Sequence, residues 1–241
     1  MRIVVVADVH ANLDAFEAVL RHAAAGGAID RVWSLGDLVG YGAQPSTCIA
    51  RLREFEHVEL AGNHDLAAAG EIGLAEFNTY AADAALWTAS QLDDDEKAWI
   101  RGLPRVVIEQ NVTLVHGSLR DPVWEYLLSE SEAEAHLALQ TTPYGLVGHT
   151  HFPAVIYEGD AAMRRILDGR EVALEAERFV ANPGSVGQPR DGDYRAAYAV
   201  LDTEARRFVF DRVDYDVAAA RAKIVAAGLP TYLAERLARG R

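Results

Sequence analysis

Between Met1 and Ala61 the apolar positions follow two rhythms: short unbroken β-branched runs, and stripes repeating every three to four residues. Ile3 to Ala7 is a continuous apolar run, as expected of a strand buried on both faces. Asn12 is placed to cap a helix whose apolar row is Leu13, Phe16, Val19, Leu20 and Ala23, closed by Gly26 and Gly27. Val32 to Leu35 predicts a second strand. Pro45 suits the first turn of a helix carrying Ile49, Leu52 and Phe55 at intervals of three, and His57 to Ala61 predicts a third strand. This β-α-β-α-β opening argues for parallel strands with helices packed on the sheet.

The rhythm then changes. Residues 66–103 carry no strand pattern and read as helical. Phe77, Tyr80, Ala84 and Trp87 share one face, and Asp93 with Glu96 forms a capping-box start before Trp99 and Ile100. Such an excursion beside the Gly62–Asp65 segment suits a lid or substrate wall, or a plain helical hairpin covering the sheet. Strands are predicted again at Val106–Glu109, Val112–His116 and Gly145–Gly148. Beyond Phe152 the pattern is mostly β, at Ala154–Tyr157, Arg164–Leu167, Arg178–Val180, Ala197–Leu201 and Phe208–Val213. Helices close the chain from Asp216. No internal repeat, low-complexity tract or linker is visible, so the expectation is one α/β domain over residues 1–241 with two sheets flanked by helices.

Composition narrows the function classes. Asp and Glu outnumber Lys and Arg by 36 to 23, a formal net charge of -13, which disfavours tight binding to long nucleic acid and hence a nuclease. The lone cysteine, Cys48, rules out an internal disulfide framework, and its place in the apolar row of a helix suits a small buried residue better than a nucleophile. The N-terminal residues read as a strand entering a motif rather than a signal peptide, and no apolar run reaches membrane-span length, so the expected location is cytoplasmic.

Five short motifs carry the chemistry: Asp8-Val9-His10, Gly36-Asp37, Gly62-Asn63-His64-Asp65, His116-Gly117 and Gly148-His149-Thr150-His151. Four of the five directly follow an apolar run, the position where ligands gather in open α/β sheets. Asp8 and His10 can face one point from a strand end, and Asp37 has two oxygens with which to bridge two cations. Asn63 adds a neutral oxygen, and His116, His149 and His151 add imidazole nitrogens. Mixed N and O donors without thiolate suit Mn, Fe, Zn or similar ions. Two divalent ions carry about +4 and the two aspartates return about -2, so the site would be a positive hole suited to phosphate. A metal pair about 3.5–4 Å apart can generate a hydroxide and clamp both oxygens of an in-line displacement. His64 is left over, between a presumed ligand and Asp65, whose carboxylate could hold the ring. An imidazole there is suited to protonating a departing alkoxide. Singly, each motif is compatible with an ordinary structural hydrogen bond; in this order they form a set.

That set resembles the calcineurin-like metallophosphoesterase superfamily. The stretches Leu35–Gly42, His116–Pro122 and Asn182–Arg190 look like its small bacterial and archaeal cytosolic, phosphodiesterase-like branch, with similarity from Met1 to about Tyr215. The resemblance implies a four-layer αββα sandwich. By position it implies that Asp8, His10 and His151 bind one metal, that Asn63, His116 and His149 bind the other, and that Asp37 bridges both. A bridging hydroxide would attack phosphorus, with His64 as catalytic histidine and Asp65 as its orienting partner. No departure from the ligand pattern is found. Arg120 and Arg190 are candidates to hold a phosphate bidentately if their loops face the metals, and otherwise surface charges or ion pairs with Asp121 or Asp191. Asn182-Pro183-Gly184 reads first as a turn.

The expectation is a metal-dependent hydrolase of a small phosphorylated molecule. Relatives that are phosphodiesterases or hydrolases of dinucleoside polyphosphates make a nucleotide-type substrate plausible. The competing readings are a phosphomonoesterase and a non-enzymatic interaction module on the same fold; no peptide-binding feature suggests a protein phosphatase.

Overall fold

In the computed structural model, which describes residues 1–165, 168–174 and 177–241, the β-α-β-α-β opening is β1 (Arg2–Val6), α1 (Leu13–Ala25), β2 (Arg31–Ser34), α2 (Pro45–Leu52) and β3 (His57–Glu59). Three helices follow, α3 (Asn63–Ala68), α4 (Thr79–Gln91) and α5 (Asp94–Arg101), then β4 (Val106–Glu109) and β5 (Val112–Val115). Next come α6 (Glu130–Leu139), β6 (Tyr144–Leu146), β7 (Ala154–Tyr157), β8 (Asp160–Arg165), β9 (Glu171–Ala173) and β10 (Phe179–Asn182). The chain finishes with β11 (Ala196–Asp202), β12 (Arg207–Val213), α7 (Val217–Ala226) and α8 (Thr231–Leu237).

The strands form two mixed six-stranded sheets, β3-β2-β1-β11-β12-β9 and β4-β5-β6-β10-β7-β8. In the first, Val4 lies opposite Val32 and Trp33 opposite Val58, both in parallel register; in the second, Leu114 lies opposite Leu146, also parallel. The continuous apolar run of β1 serves two cores at once. Ile3, Val5 and Ala7 pack between the sheets with Trp33, Leu114, Phe179 and Phe208, while Val4 and Val6 face α1 and α2 through Phe16, Val19 and Ile49. On the outer face of the second sheet, Ala133 and Leu137 of α6 cover Val115, Val147 and Val180. The result is the expected helix-sheet-sheet-helix layering. Cys48 is fully buried in the α1/α2 layer.

Local signals act as their chemistry requires. Asn12 Oδ1 accepts from the Ala15 N–H at 3.2 Å, and the Asp93–Glu96 capping box closes at 2.7 and 3.0 Å. Some expectations need correction. The Pro45 helix stops at Leu52, although Phe55 still packs on its core. Tyr80 is 45% exposed rather than on the buried face of α4. Of the strand expected at Arg164–Leu167, β8 contains only the first two positions; 166 and 167 lie outside the described residues. The periodicity also missed α6 and β9. The buried stripe of α6 is Ala133, His136 and Leu137, with one strongly apolar member, and β9 buries only Val172, too little for either rhythm to register.

Candidate metal centre

Five parallel strands bring their carboxyl ends to one edge of the sandwich: β1, β2 and β3 from the first sheet, β5 and β6 from the second. The five motifs lie just beyond those ends. Reaching the same point from both sheets bends the backbone sharply. Asp8, His10, Asp37, His149 and His151 all have positive φ, between 50° and 66°. Left-handed conformations of this kind cost a non-glycine residue about 1 kcal/mol or more each and concentrate at functional sites. Gly62 is required by crowding, since a Cβ there would lie 2.1 Å from Asp37 Oδ1.

The donor atoms converge. Asp8, His10 and His151 form one buried group and Asp37, His116 and His149 another, with the atoms of each group within 4.8 Å of one another. His10 Nε2 is 3.2 Å from His151 Nε2, which is 3.4 Å from Asp8 Oδ1. His116 Nε2 is 3.1 Å from His149 Nδ1 and 3.3 Å from Asn63 Oδ1. Asp37 Oδ2 sits between the groups, 3.7 Å from His10 Nε2 and 3.5 Å from His116 Nε2. Donors bonded at about 2.1 Å to one ion are separated from each other by about 3.0–3.5 Å, the range of all these distances except that from Asp37 to His10, at 3.7 Å.

Which nitrogen faces the centre is set from behind. The Nδ1 positions of His10, His116 and His151 face the carbonyls of Val39, Leu35 and Gln188 at 3.2, 2.8 and 2.6 Å. A carbonyl can only accept, so Nδ1 carries the proton and the Nε2 lone pair points inward. His149 is reversed: its Nε2 meets the Trp124 carbonyl at 3.1 Å, leaving Nδ1 inward. This is the outer-shell arrangement that fixes metal-binding imidazoles. Electrostatics agree. Burial lowers the pKa of all four rings, that of His116 to about 4, and raises the carboxyls of Asp8 and Asp37, that of Asp37 to about 7. Neutral rings and carboxylates facing one another are the donor set that a divalent cation takes, and the two clusters fit a dinuclear metal site.

His64 and Asp65 occupy the first turn of α3, which begins at Asn63 and so absorbs a motif expected to be a loop. The expected pairing of the two is not found. The Asp65 carboxylate accepts from the N–H groups of Asp37 (2.7 Å), Val39 (3.0 Å) and Gly62 (3.0 Å), whereas His64 Nδ1 is buried with no hydrogen-bond partner. Adjacent helical residues project about 100° apart, so a carboxylate turned back to the helix start cannot also reach its neighbour's ring. Asp65 pins the Asp37–Val39 turn; His64 is held by packing, with the rings of Tyr41 at 4.2 Å and of His10 and Phe77 at 5.0 Å. Gly40 is needed there, because a Cβ would come within 2.7 Å of Nδ1.

The two candidate arginines separate. Arg120 turns outward, with Nε 2.9 Å from Glu125 Oε1 and its side chain 53% exposed, and does not line the cleft over the two donor clusters. Its expected acidic neighbour Asp121 instead accepts from the N–H groups of Val123 and Trp124. Arg190 does line the cleft, with Asp37, Asn63, His64, His149 and His151. The Asn182–Arg190 loop reaches it through contacts to β1, Val186 N–H to the Ala7 carbonyl and Gly187 N–H to the Asp8 carbonyl, both 3.0 Å. Asn182 Oδ1 closes the expected turn onto Gly184 N–H at 2.8 Å.

Other lining residues were not foreseen. Phe77 and Asn78 come from the helical excursion, which thus contributes a wall of the cleft; Trp124 and Tyr126 come from the loop after β5, Tyr126 stacked on His149 at 3.9 Å. Tyr41 stood in a recognised stretch, but no periodicity signals which way a loop aromatic points.

Comparison with known proteins agrees with this geometry. Residues 1–206 match the family model described as the calcineurin-like phosphoesterase superfamily domain. An uncharacterized protein of Methanocaldococcus jannaschii is 36% identical over 249 residues, covering 99% of this chain and 98% of its own. The crystal structure of a metallophosphoesterase from Sphaerobacter thermophilus superposes with a TM-score of 0.91 at 42% identity, covering 100% of this chain and 99% of that one. A hypothetical protein from Pyrococcus horikoshii OT3 shares the fold at 20% identity, with a TM-score of 0.81 over 100% of this chain and 98% of that one. With an inward-facing ligand set on this scaffold and a family match over most of its length, the chain belongs to the calcineurin-like phosphoesterase superfamily.

Proposed function

We propose that the protein is a dinuclear metal-dependent hydrolase of small phosphate esters, with a nucleotide-type or other phosphodiester substrate. One observation carries this reading: four imidazoles, each fixed by a backbone carbonyl on its far nitrogen, present lone pairs to two buried carboxylates at the floor of an open cleft. Asp8, His10 and His151 would hold one divalent ion and Asn63, His116 and His149 the other, with Asp37 shared. When bound, such a pair supplies a nucleophile at neutral pH and neutralises the phosphoryl oxygens.

The chain's own groups do the rest. The guanidinium of Arg190 projects into the cleft beside these ligands and is suited to a phosphoryl oxygen. His64 lines the same cleft, and with Nδ1 sealed in packing, Nε2 is the atom that gives its proton to the leaving oxygen. Burial and Arg190 keep this ring neutral in the free protein; the negative charge of an arriving phosphate favours the protonated form. Phe77 and Trp124, in edge contact at 5.1 Å, narrow the cleft and limit water around that transfer.

The test is elemental analysis after loading with Mn, joined to a screen of aryl phosphates and nucleotide mono- and diesters ranked by kcat/KM. About two ions per chain and hydrolysis are expected, and Asp37→Asn should weaken both metal sites together. Full occupancy in that variant would contradict the shared ligand. Loaded protein that turns over none of the esters would favour an interaction module.

A further inference from the structure

The cleft over the metal ligands is small, about 60 Å³, room for little more than a phosphoryl group. It opens past shared walls, Tyr41, Asn78, Tyr126 and Arg190, into an outer chamber of about 440 Å³, a size typical of ligand pockets. Two features of the chamber are unusual for this chain. In a protein of net charge -13 it is lined by two arginines, Arg190 and Arg236, and by no acidic residue. Among the described residues neither guanidinium is ion-paired with a carboxylate side chain. Arg190 donates to Gln188 Oε1 at 3.1 Å, and Arg236 Nε donates to the α-carboxyl group of the last residue, Arg241, an exposed contact that an incoming phosphate would compete with. Burial and the neighbouring Arg190 push the Arg236 pKa down. The chamber is also aromatic: Tyr80 and Tyr232 stack at 4.6 Å, and Arg236 lies 5.6 Å from the Tyr232 ring and 5.9 Å from that of Tyr41.

Arg236 and Tyr232 belong to α8, beyond the residues 1–206 that match the family. They reach the chamber because α7 and α8 pack on α4 through Ala220, Ile224, Leu233 and Leu237 against Ala81 and Ala84. We propose that this C-terminal hairpin builds a second subsite, in which Arg190 and Arg236 hold a phosphate adjoining the scissile one and the tyrosines hold a planar base, so that the preferred substrates are nucleoside polyphosphates. This rests on the phosphoesterase reading for the scissile phosphate only. Two like charges beside one cavity repel until an anion is shared between them, and tyrosine faces in reach offer stacking to any base.

The test uses the whole chain in two states. In metal-free protein, calorimetric titration with ADP, pyrophosphate and inorganic phosphate reads the subsite without turnover. Arg236→Gln should weaken ADP and pyrophosphate about tenfold or more, the worth of a charge-assisted hydrogen bond, and Arg236→Lys should recover part of the loss. Tyr232→Ala should weaken ADP about fivefold or more and pyrophosphate less, as expected for lost stacking. In Mn-loaded protein, Arg236→Gln should lower the ratio of kcat/KM for ADP to that for p-nitrophenyl phosphate. Equal ADP binding by wild type and Arg236→Gln, or none by the wild type at millimolar concentration, overturns the subsite even where aryl phosphates are hydrolysed. ADP binding that depends on Arg236 in a protein that hydrolyses no ester overturns the phosphoesterase reading and leaves the subsite standing.

Discussion

At the scale of single residues, His64 separates binding from chemistry. Its main-chain N–H donates to Asp37 Oδ1 at 2.8 Å, a bond that substitution of the side chain leaves in place, and its ring is fixed by aromatic neighbours rather than by Asp65. His64→Ala is therefore expected to retain both metals while losing roughly 10²–10⁴-fold in rate, the usual worth of a positioned general acid. The loss should shrink for p-nitrophenolate, which leaves without a proton. Equal losses for good and poor leaving groups would remove the acid role, and loss of metal would make His64 part of the binding site. The residues that converge in the two clusters were legible because each is a distinctive donor in a short motif. The true partners of Asp65 and Arg120 were not, because a hydrogen bond depends on where a side chain points once the backbone is folded.

At the scale of elements, α6 shows how a helix of weak amphipathicity is anchored. His136, fully buried, accepts at Nδ1 from the Leu119 N–H (3.1 Å) and donates from Nε2 to Gln140 Oε1 (3.2 Å), tying α6 to the loop that follows His116. The bond from Leu119 needs a neutral ring, because a protonated Nδ1 has no lone pair to accept with, and burial lowers the ring's pKa to about 4. The unfolded imidazole titrates near 6.5, so below that pH the unfolded chain binds a proton that the folded chain refuses. Stability from this group is complete above about pH 6.5 and declines toward pH 4, by at most about 1.4 kcal/mol per unit. His136→Gln should lower the denaturant midpoint at pH 7 and narrow its gap to wild type as the pH falls to 4. Parallel curves would show that the ring carries no such linkage.

At the scale of the molecule, the sandwich supplies the platform, and the helices beyond it shape access. The C-terminal hairpin is held to α4 by small and medium apolar side chains, with Leu233 only 1% exposed. Leu233→Ala should cost about 2–5 kcal/mol in chemical denaturation, the range for a buried leucine that leaves a cavity. A loss below 1 kcal/mol would mean that the hairpin is loosely attached, and the chamber it walls with it.

The amino-acid order alone was enough for the alternation of β1 to β3 with α1 and α2, the two-sheet expectation and the seven candidate ligands. Each of these rests on local information: apolar period, capping chemistry, or a donor residue just past a strand. Only the tertiary structure decided that Asp65 serves the backbone, that Arg120 faces Glu125 and Arg190 the cleft, and that Arg236 stands beside Arg190 across 46 positions of sequence. Such pairings come from the packing of distant elements, where apolar burial fixes the position of a helix and its polar side chains are carried along to whatever lies opposite.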